Sequence, residues 1–209
     1  MRATSMFRVW LRARLSVASL LRDRSGVAAT EFAVIVPIML VMFFGTVEFS
    51  SGVAVDRKVT LVARTLSDLT SQSASAVNDA YLQNVFTASI AILTPYSPTP
   101  TKATLSEIYV DSNKIATIKW SKAATIASGA TQATLTASSR NPGDIITLPP
   151  ALLVKQTYLI FSEVSYLYTP TVGYVMAKAG VTLSDVAYTR PRQVTCVIYI
   201  TVPAGCPTP

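Results

Sequence analysis

From Val27 to Val47 the only ionisable side chain is Glu31, and Phe32 to Val47 runs sixteen residues without a charge. A bilayer core of about 30 Å needs roughly 20 helical residues, so this run of 21 is long enough to cross one. Pro37 falls inside it, removes one backbone hydrogen bond and is expected to bend or loosen the helix near residues 33–37. Membrane helices tolerate such a break. A hinge that helps a subunit leave the bilayer is the alternative to a harmless kink. Beyond the run, Val55, Val59, Val62, Leu66 and Leu69 recur at spacings of 4, 3, 4 and 3, with Asp56, Arg57, Lys58, Arg64 and Asp68 between them. That stripe predicts continued helix. One helix from about Val27 to Ser71 would be roughly 68 Å long at 1.5 Å per residue. Its apolar stripe packs either on the protein's own domain or against neighbouring subunits. Glu48 marks the outer interface.

A polar, small-residue break over 71–76 leads to a second helix, predicted from Asn78 to Leu93. Tyr81, Leu82, Val85, Phe86, Ile90 and Leu93 lie on one of its faces. Pro95, Pro98 and Pro100 stop it. After residue 102 the pattern changes to that of strands. Leu105–Val110, the turn formers Asp111-Ser112-Asn113 and Ile115–Trp120 read as a hairpin. Residues 121–150, rich in Ala, Ser, Thr, Gly and Pro, read mostly as loop. Tyr158–Tyr168 and Val194–Val202 read as two further strands. Two helices followed by strands give an α+β class, with a small antiparallel sheet packed on the helices. The organisation predicted is a basic leader (1–26), a transmembrane helix (27–54), a helical region outside the membrane (55–94) and a β-rich domain (95–209).

Composition and charge sharpen this picture. The 209 residues allow one anchor and one modest domain. The mean hydropathy of +0.42 is high for a soluble protein. Six arginines (Arg2, Arg8, Arg12, Arg14, Arg22, Arg24) and one acid, Asp23, put +5 of the net +7 into the first 25 residues. Arginines ahead of a single span place the N-terminus in the cytoplasm and the bulk of the chain outside. The pI near 9.6 is therefore a topogenic signal, and no nucleic-acid partner is expected. Gly52-Val53-Ala54 has small residues where signal peptidase would need them for a cut before Val55. The apolar run, however, is longer than the usual signal and lacks an early helix break.

A carboxylate in a bilayer costs roughly 2.5–3.5 kcal/mol at the centre on insertion scales, and less near the interface, so Glu31 is a functional candidate. Cutting after Gly26 would create an α-amine on Val27, one helical turn from Glu31 and on its face. The string Gly26-Val27-Ala28-Ala29-Thr30-Glu31-Phe32-Ala33-Val34-Ile35-Val36-Pro37 resembles the processing site of type IV pilin-like proteins. Within that group it is most similar to the TadE/TadG minor pseudopilins of the tight-adherence (Flp, type IVc) pilus machinery. Phe32, the small residue after it and Pro37 carry the narrower likeness. The resemblance implies cleavage after Gly26 by a prepilin peptidase, with Glu31 fifth in the mature chain. It also implies a pilin-like fold, an inner-membrane location with the C-terminal domain in the periplasm, and a place in or beside the pilus. The partners implied are the peptidase, other pseudopilins and the major pilin, the inner-membrane assembly platform and membrane lipid. Arg190-Pro191-Arg192 resembles an arginine-proline element late in TadE-like chains; a basic surface turn is the plainer reading.

Cys196 and Cys206, with Pro203-Ala204-Gly205 between them to turn the chain, read as a disulfide in an oxidising compartment. Closing so short a loop would contribute somewhat under about 3 kcal/mol in the chain-entropy model. There is no histidine, which removes His-dependent nucleophile arrangements and the commonest metal ligand. No phosphate-cradling glycine loop occurs. Neither a cofactor, a metal nor an enzymatic activity is expected. Carboxylates could still pair in space, and Glu163 within 158–168 is the acid to follow, with a solvent-facing edge position as its plain reading. Three functions compete: a pseudopilin acting by helix packing, an uncleaved bitopic periplasmic binding or adhesion module, and, least favoured, a membrane-tethered enzyme.

Overall fold

The computed structural model describes residues 26–74, 76–170 and 180–200. Helix α1 spans Val27–Ser71 and passes unbroken through Pro37. Helix α2 spans Asp79–Ile90 and continues as a 3-10 turn over Ala91–Leu93. Five strands follow: β1 (Thr101–Val110), β2 (Ala116–Thr125), β3 (Thr134–Thr136), β4 (Thr157–Tyr168) and β5 (Val181–Thr189). They form one antiparallel sheet in the order β3-β2-β1-β4-β5. The class is α+β, as the order of patterns implies.

The chain divides into two compact units, Met1–Val47 and Glu48–Pro209. Within the first, no described side chain from 27 to 47 is buried; Phe32, Met39, Met42 and Phe43 are all more than half exposed. A helix that is apolar around its whole circumference needs a non-aqueous surrounding, lipid or other helices.

In the second unit, Val55, Val59, Val62 and Leu66 are fully buried in one core, and Leu69 packs at its margin. Leu82, Val85, Phe86 and Ile90 of α2 join them, together with Leu105, Trp120, Ile160 and Val164 from the sheet. The stripe of α1 beyond the apolar run therefore serves its own domain. Helix and sheet approach closely where Ser162 Oγ donates to the Ala63 carbonyl at 2.6 Å. Asn78 caps α2, its side chain accepting from Tyr81 N at 2.8 Å. Lys58 Nζ donates to the Ile92 and Thr94 carbonyls at 2.8 and 2.7 Å, satisfying acceptors where that helical segment ends.

The β1–β2 turn falls on the predicted residues. Asp111 Oδ1 accepts from Asn113 N and Ile115 N, and Lys114 takes the left-handed conformation at φ 66°. The other sheet face carries a smaller cluster, including Ile108, Val110, Leu148, Leu159 and Phe161.

Several sequence expectations are corrected. Residues 121–150 are mostly loop as expected, but β2 runs on to Thr125 and β3 forms at Thr134–Thr136 within them. Residues 194–200 form no strand; Tyr199 makes a single parallel bridge to Val77, and 201–202 lie outside the described residues. The further strand is β5. Its sequence alternates only weakly, and its side chains are half-buried at best, because it forms the sheet edge. Glu163 is not on an edge strand, since β4 sits between β1 and β5.

Candidate functional site: the N-terminal helix and the contacts that close the domain

Gly26 precedes the first residue of α1, and its carbonyl accepts from Thr30 N at 3.0 Å. A Cβ built on Gly26 would meet nothing within 4 Å, and its φ is not one that disfavours side chains. Folding therefore gives no reason for glycine at this position. Thr30 Oγ1 donates to the Val27 carbonyl at 2.8 Å, which ties the first turn together. Val27, Glu31 and Phe32 are exposed on the helix, with Val27 and Glu31 one turn apart. Pro37 lies six residues beyond Glu31 along the same unbroken helix.

At the start of the second unit, Glu48 is buried and accepts a hydrogen bond from Tyr168 Oη at 2.7 Å. Burial, then the carboxylate of Glu48, push the Tyr168 phenol up to about 12. Glu48, read as an interface marker, is thus a partner of the last residue of β4.

Residues 190–200 are held against the domain by charged groups at three points. Arg192 forms an ion pair with Asp68, and its backbone N–H donates to the Ser71 carbonyl at 2.8 Å, where α1 ends. The arginine-proline element is therefore a structural clasp as well as a surface turn. Tyr199 Oη donates to Asp79 at 2.5 Å, and Lys122 lies 3.4 Å from the same carboxylate. Those partners, Tyr199 first, hold Asp79 below the usual carboxylate range. Between these points Val197 N–H donates to Glu107 Oε1 at 2.5 Å, and Trp120 Nε1 donates to the Val197 carbonyl at 2.7 Å. Glu107 is 2% exposed. Desolvation, only partly offset by Val197 and Trp120, raises its carboxyl to about 8. In the sequence Glu107 is one acid within the Leu105–Val110 strand. Its signal was strand parity: residue 107 falls on the inward face with Ala103 and Leu105.

Glu163 receives a bidentate pair from Arg140, whose guanidinium also lies 5.4 Å over the Phe161 ring. That pairing satisfies the carboxylate as a structural group. Among the described residues, no three His, Cys, Asp or Glu side chains gather where they could hold one metal ion.

Cys196 is buried beside Val197; Cys206 lies outside the described residues. The expected bridge predicts that neither thiol of protein taken fresh from membranes will react with an alkylating reagent before reduction. A Cys196–Cys206 peptide should appear in non-reducing maps. Quantitative alkylation of both would rule the bridge out.

The fold and these contacts define an α+β domain carried on one N-terminal apolar helix, an arrangement that fits a single-pass membrane anchor. Residues 26–67 match the family model described as TadE-like protein. No curated protein and no solved structure matches the chain. The match covers Gly26, Val27, Glu31, Phe32 and Pro37 and most of α1, and stops short of α2 and the sheet.

Proposed function

We propose that this protein is a minor pseudopilin, an assembly component of a Tad (Flp, type IVc) pilus. It is cut after Gly26 by a prepilin peptidase and acts without enzymatic chemistry, by packing its N-terminal helix against pilus or envelope partners. The observation that carries the reading is the coincidence of the TadE-like segment with a helix whose first stretch, Val27 to Val47, is exposed and apolar all round, with Glu31 as its one ionisable side chain. The N-terminus lies in the cytoplasm and the domain in the periplasm. The support for this is the cluster of arginines before the span. Other pseudopilins, the major pilin and the inner-membrane assembly platform are the partners, and lipid surrounds the helix before assembly.

Gly26 supports the processing step in a specific way. Nothing in the fold fills the space a side chain would take there, so the absence of one is a demand from outside the chain. A peptidase that closes on the backbone at both sides of the scissile bond makes that demand. Gly26→Val should fold and insert like the wild type but leave a full-length species on gels when the peptidase is present. Equal mobility of mutant and wild type would refute the assignment.

The alternative is an uncleaved bitopic module whose helix is only an anchor. The N-terminal residue of protein purified from membranes separates the two: Val27 for the pseudopilin, Met1 for the anchored module. Val55 would remove the span altogether. Against that last outcome stands the contact of Glu48 with Tyr168, by which residues ahead of Val55 pack on the domain and which such a cut would remove.

A further inference from the structure

The two edges of the sheet are finished differently. On one side β3 pairs with Ala123–Thr125 of β2, and residues 143–146 cover a further stretch of it. There Gly143 N donates to the Ile118 carbonyl at 2.7 Å, Ile118 N to the Asp144 carbonyl at 2.9 Å, and Ile146 N to the Ala116 carbonyl at 3.0 Å. On the other side β5 has no ladder partner beyond it among the described residues. Backbone parity identifies the groups left over. Leu167 N donates to the Pro100 carbonyl, on the β1 side, at 3.4 Å, so Tyr168, Tyr166, Val164 and Ser162 turn their backbone groups toward β5. They meet Val181, Leu183, Asp185 and Ala187. Thr182, Ser184, Val186 and Tyr188 therefore turn their N–H and C=O groups outward. The Val186 N–H agrees with this: it donates to its neighbour's side chain, Asp185 Oδ1, at 2.8 Å.

We propose that this edge takes an extended segment of another protein chain as a sixth strand, with a carboxylate side chain on the face toward α1. A row of alternating main-chain donors and acceptors is complementary to the backbone of a further strand. Beside it a groove of about 500 Å³ runs between Arg64, Thr65 and Asp68 of α1 and Val186–Thr189 of β5, with room for side chains of that strand. The charge follows from Arg64. Asp68 is engaged by Arg192, whereas Arg64 is exposed and has no acidic partner among the described residues. A second copy is the poorer occupant. Two-fold pairing of β5 with β5 that matches all four outward residues sets Asp185 opposite Asp185, and like charges there repel. Asp185 also guards the edge, because its carboxylate holds one amide until a partner's carbonyl displaces it. The proposal goes beyond the helix-packing reading above and stands on the domain alone.

Hydrogen exchange of the full-length chain, resolved to single amides, tests this in two preparations. One is protein made and purified alone; the other is protein extracted in mild detergent from its native envelope together with what binds it. In the first, Thr182, Ser184 and Tyr188 should exchange quickly while Leu183, Asp185 and Ala187 are protected. In the second, the outward amides should slow by roughly tenfold or more, the alternating signature of an added strand. Arg64→Glu should abolish that gain without altering the inward amides. Ser184→Pro removes one outward donor, leaves the ladder to β4 intact and should do the same. Outward amides already slow in the first preparation would show the edge covered from within the chain. Protection there that grows with protein concentration would make the occupant a second copy. Equal rates in both preparations would show that no strand adds, and protection that Arg64→Glu leaves unchanged would remove the carboxylate. Each of these four results overturns the proposal.

Discussion

Glu31→Gln is expected to insert and to be cleaved like the wild-type chain, yet to lose co-purification with its partners and the pili on the cell surface. Gln keeps the shape and removes the charge, and insertion should become slightly easier. What disappears is the attraction between this carboxylate and the α-amine that cleavage creates on Val27, on the same subunit or on an adjacent one. In a low-dielectric setting that attraction is strong, and only one axial stagger of two helices brings the groups together. On the proposed reading the carboxylate selects register. Its exposed position on α1, one turn from Val27, leaves it open to a neighbouring helix. Immunoblots for cleavage, membrane flotation for insertion, and counting of surface pili separate the steps. A mutant that assembles like wild type makes the charge incidental. A failure of cleavage transfers Glu31 to peptidase recognition.

The second large effect is a loss of domain stability as pH rises. Glu107 has its folded-state carboxyl raised to about 8 against an ordinary 4.5. A group raised in this way contributes its full stability below the unfolded value. That contribution is lost progressively as pH climbs from about 4.5 through about 8. The gap of about 3.5 units, at about 1.4 kcal/mol each, sets an upper limit of about 5 kcal/mol. Denaturant unfolding of the full chain in detergent should therefore give a midpoint that falls between pH 5 and pH 8. Glu107→Gln retains an oxygen to accept from Val197 N–H and should flatten this slope, becoming the more stable form at pH 8. The transition is best followed by Trp120 emission, because its indole N–H holds the Val197 carbonyl. An unchanged slope in the mutant would show that Glu107 does not titrate in this range.

The parts legible in the sequence are those governed by local periodicity. Helix α1 begins and ends at the residues the pattern marks, because a charge-free run and then a 4-3 stripe are properties of neighbours along the chain. The buried face of α2 and the Asp111–Asn113 turn were readable for the same reason. Gly26, Val27 and Glu31 are singled out by spacing within one helix, and they fall inside the matched residues 26–67. β5 and the irregular path of 194–200 were not legible. Each is decided by which surface remains after the other elements have packed, and neither has a strong pattern of its own.

The sequence by itself determined a single apolar helix with one acid near its start, the charge bias ahead of it, and an α+β domain behind. Those are linear quantities: length, spacing and the sign of charge. Only the tertiary structure decided the roles of the other acids, because burial and partners come from residues distant in the chain. Glu107 lies ninety positions from Val197, and Glu48 lies 120 positions from Tyr168. Asp68 is joined to Arg192 over a comparable distance, and Glu163 is joined to Arg140 across the sheet face. All four look alike as letters. The fold makes one a buried carboxyl raised to about 8, one a buried acceptor for the Tyr168 hydroxyl, and two the anionic halves of ion pairs, because solvent access and donor geometry exist only once the chain has closed.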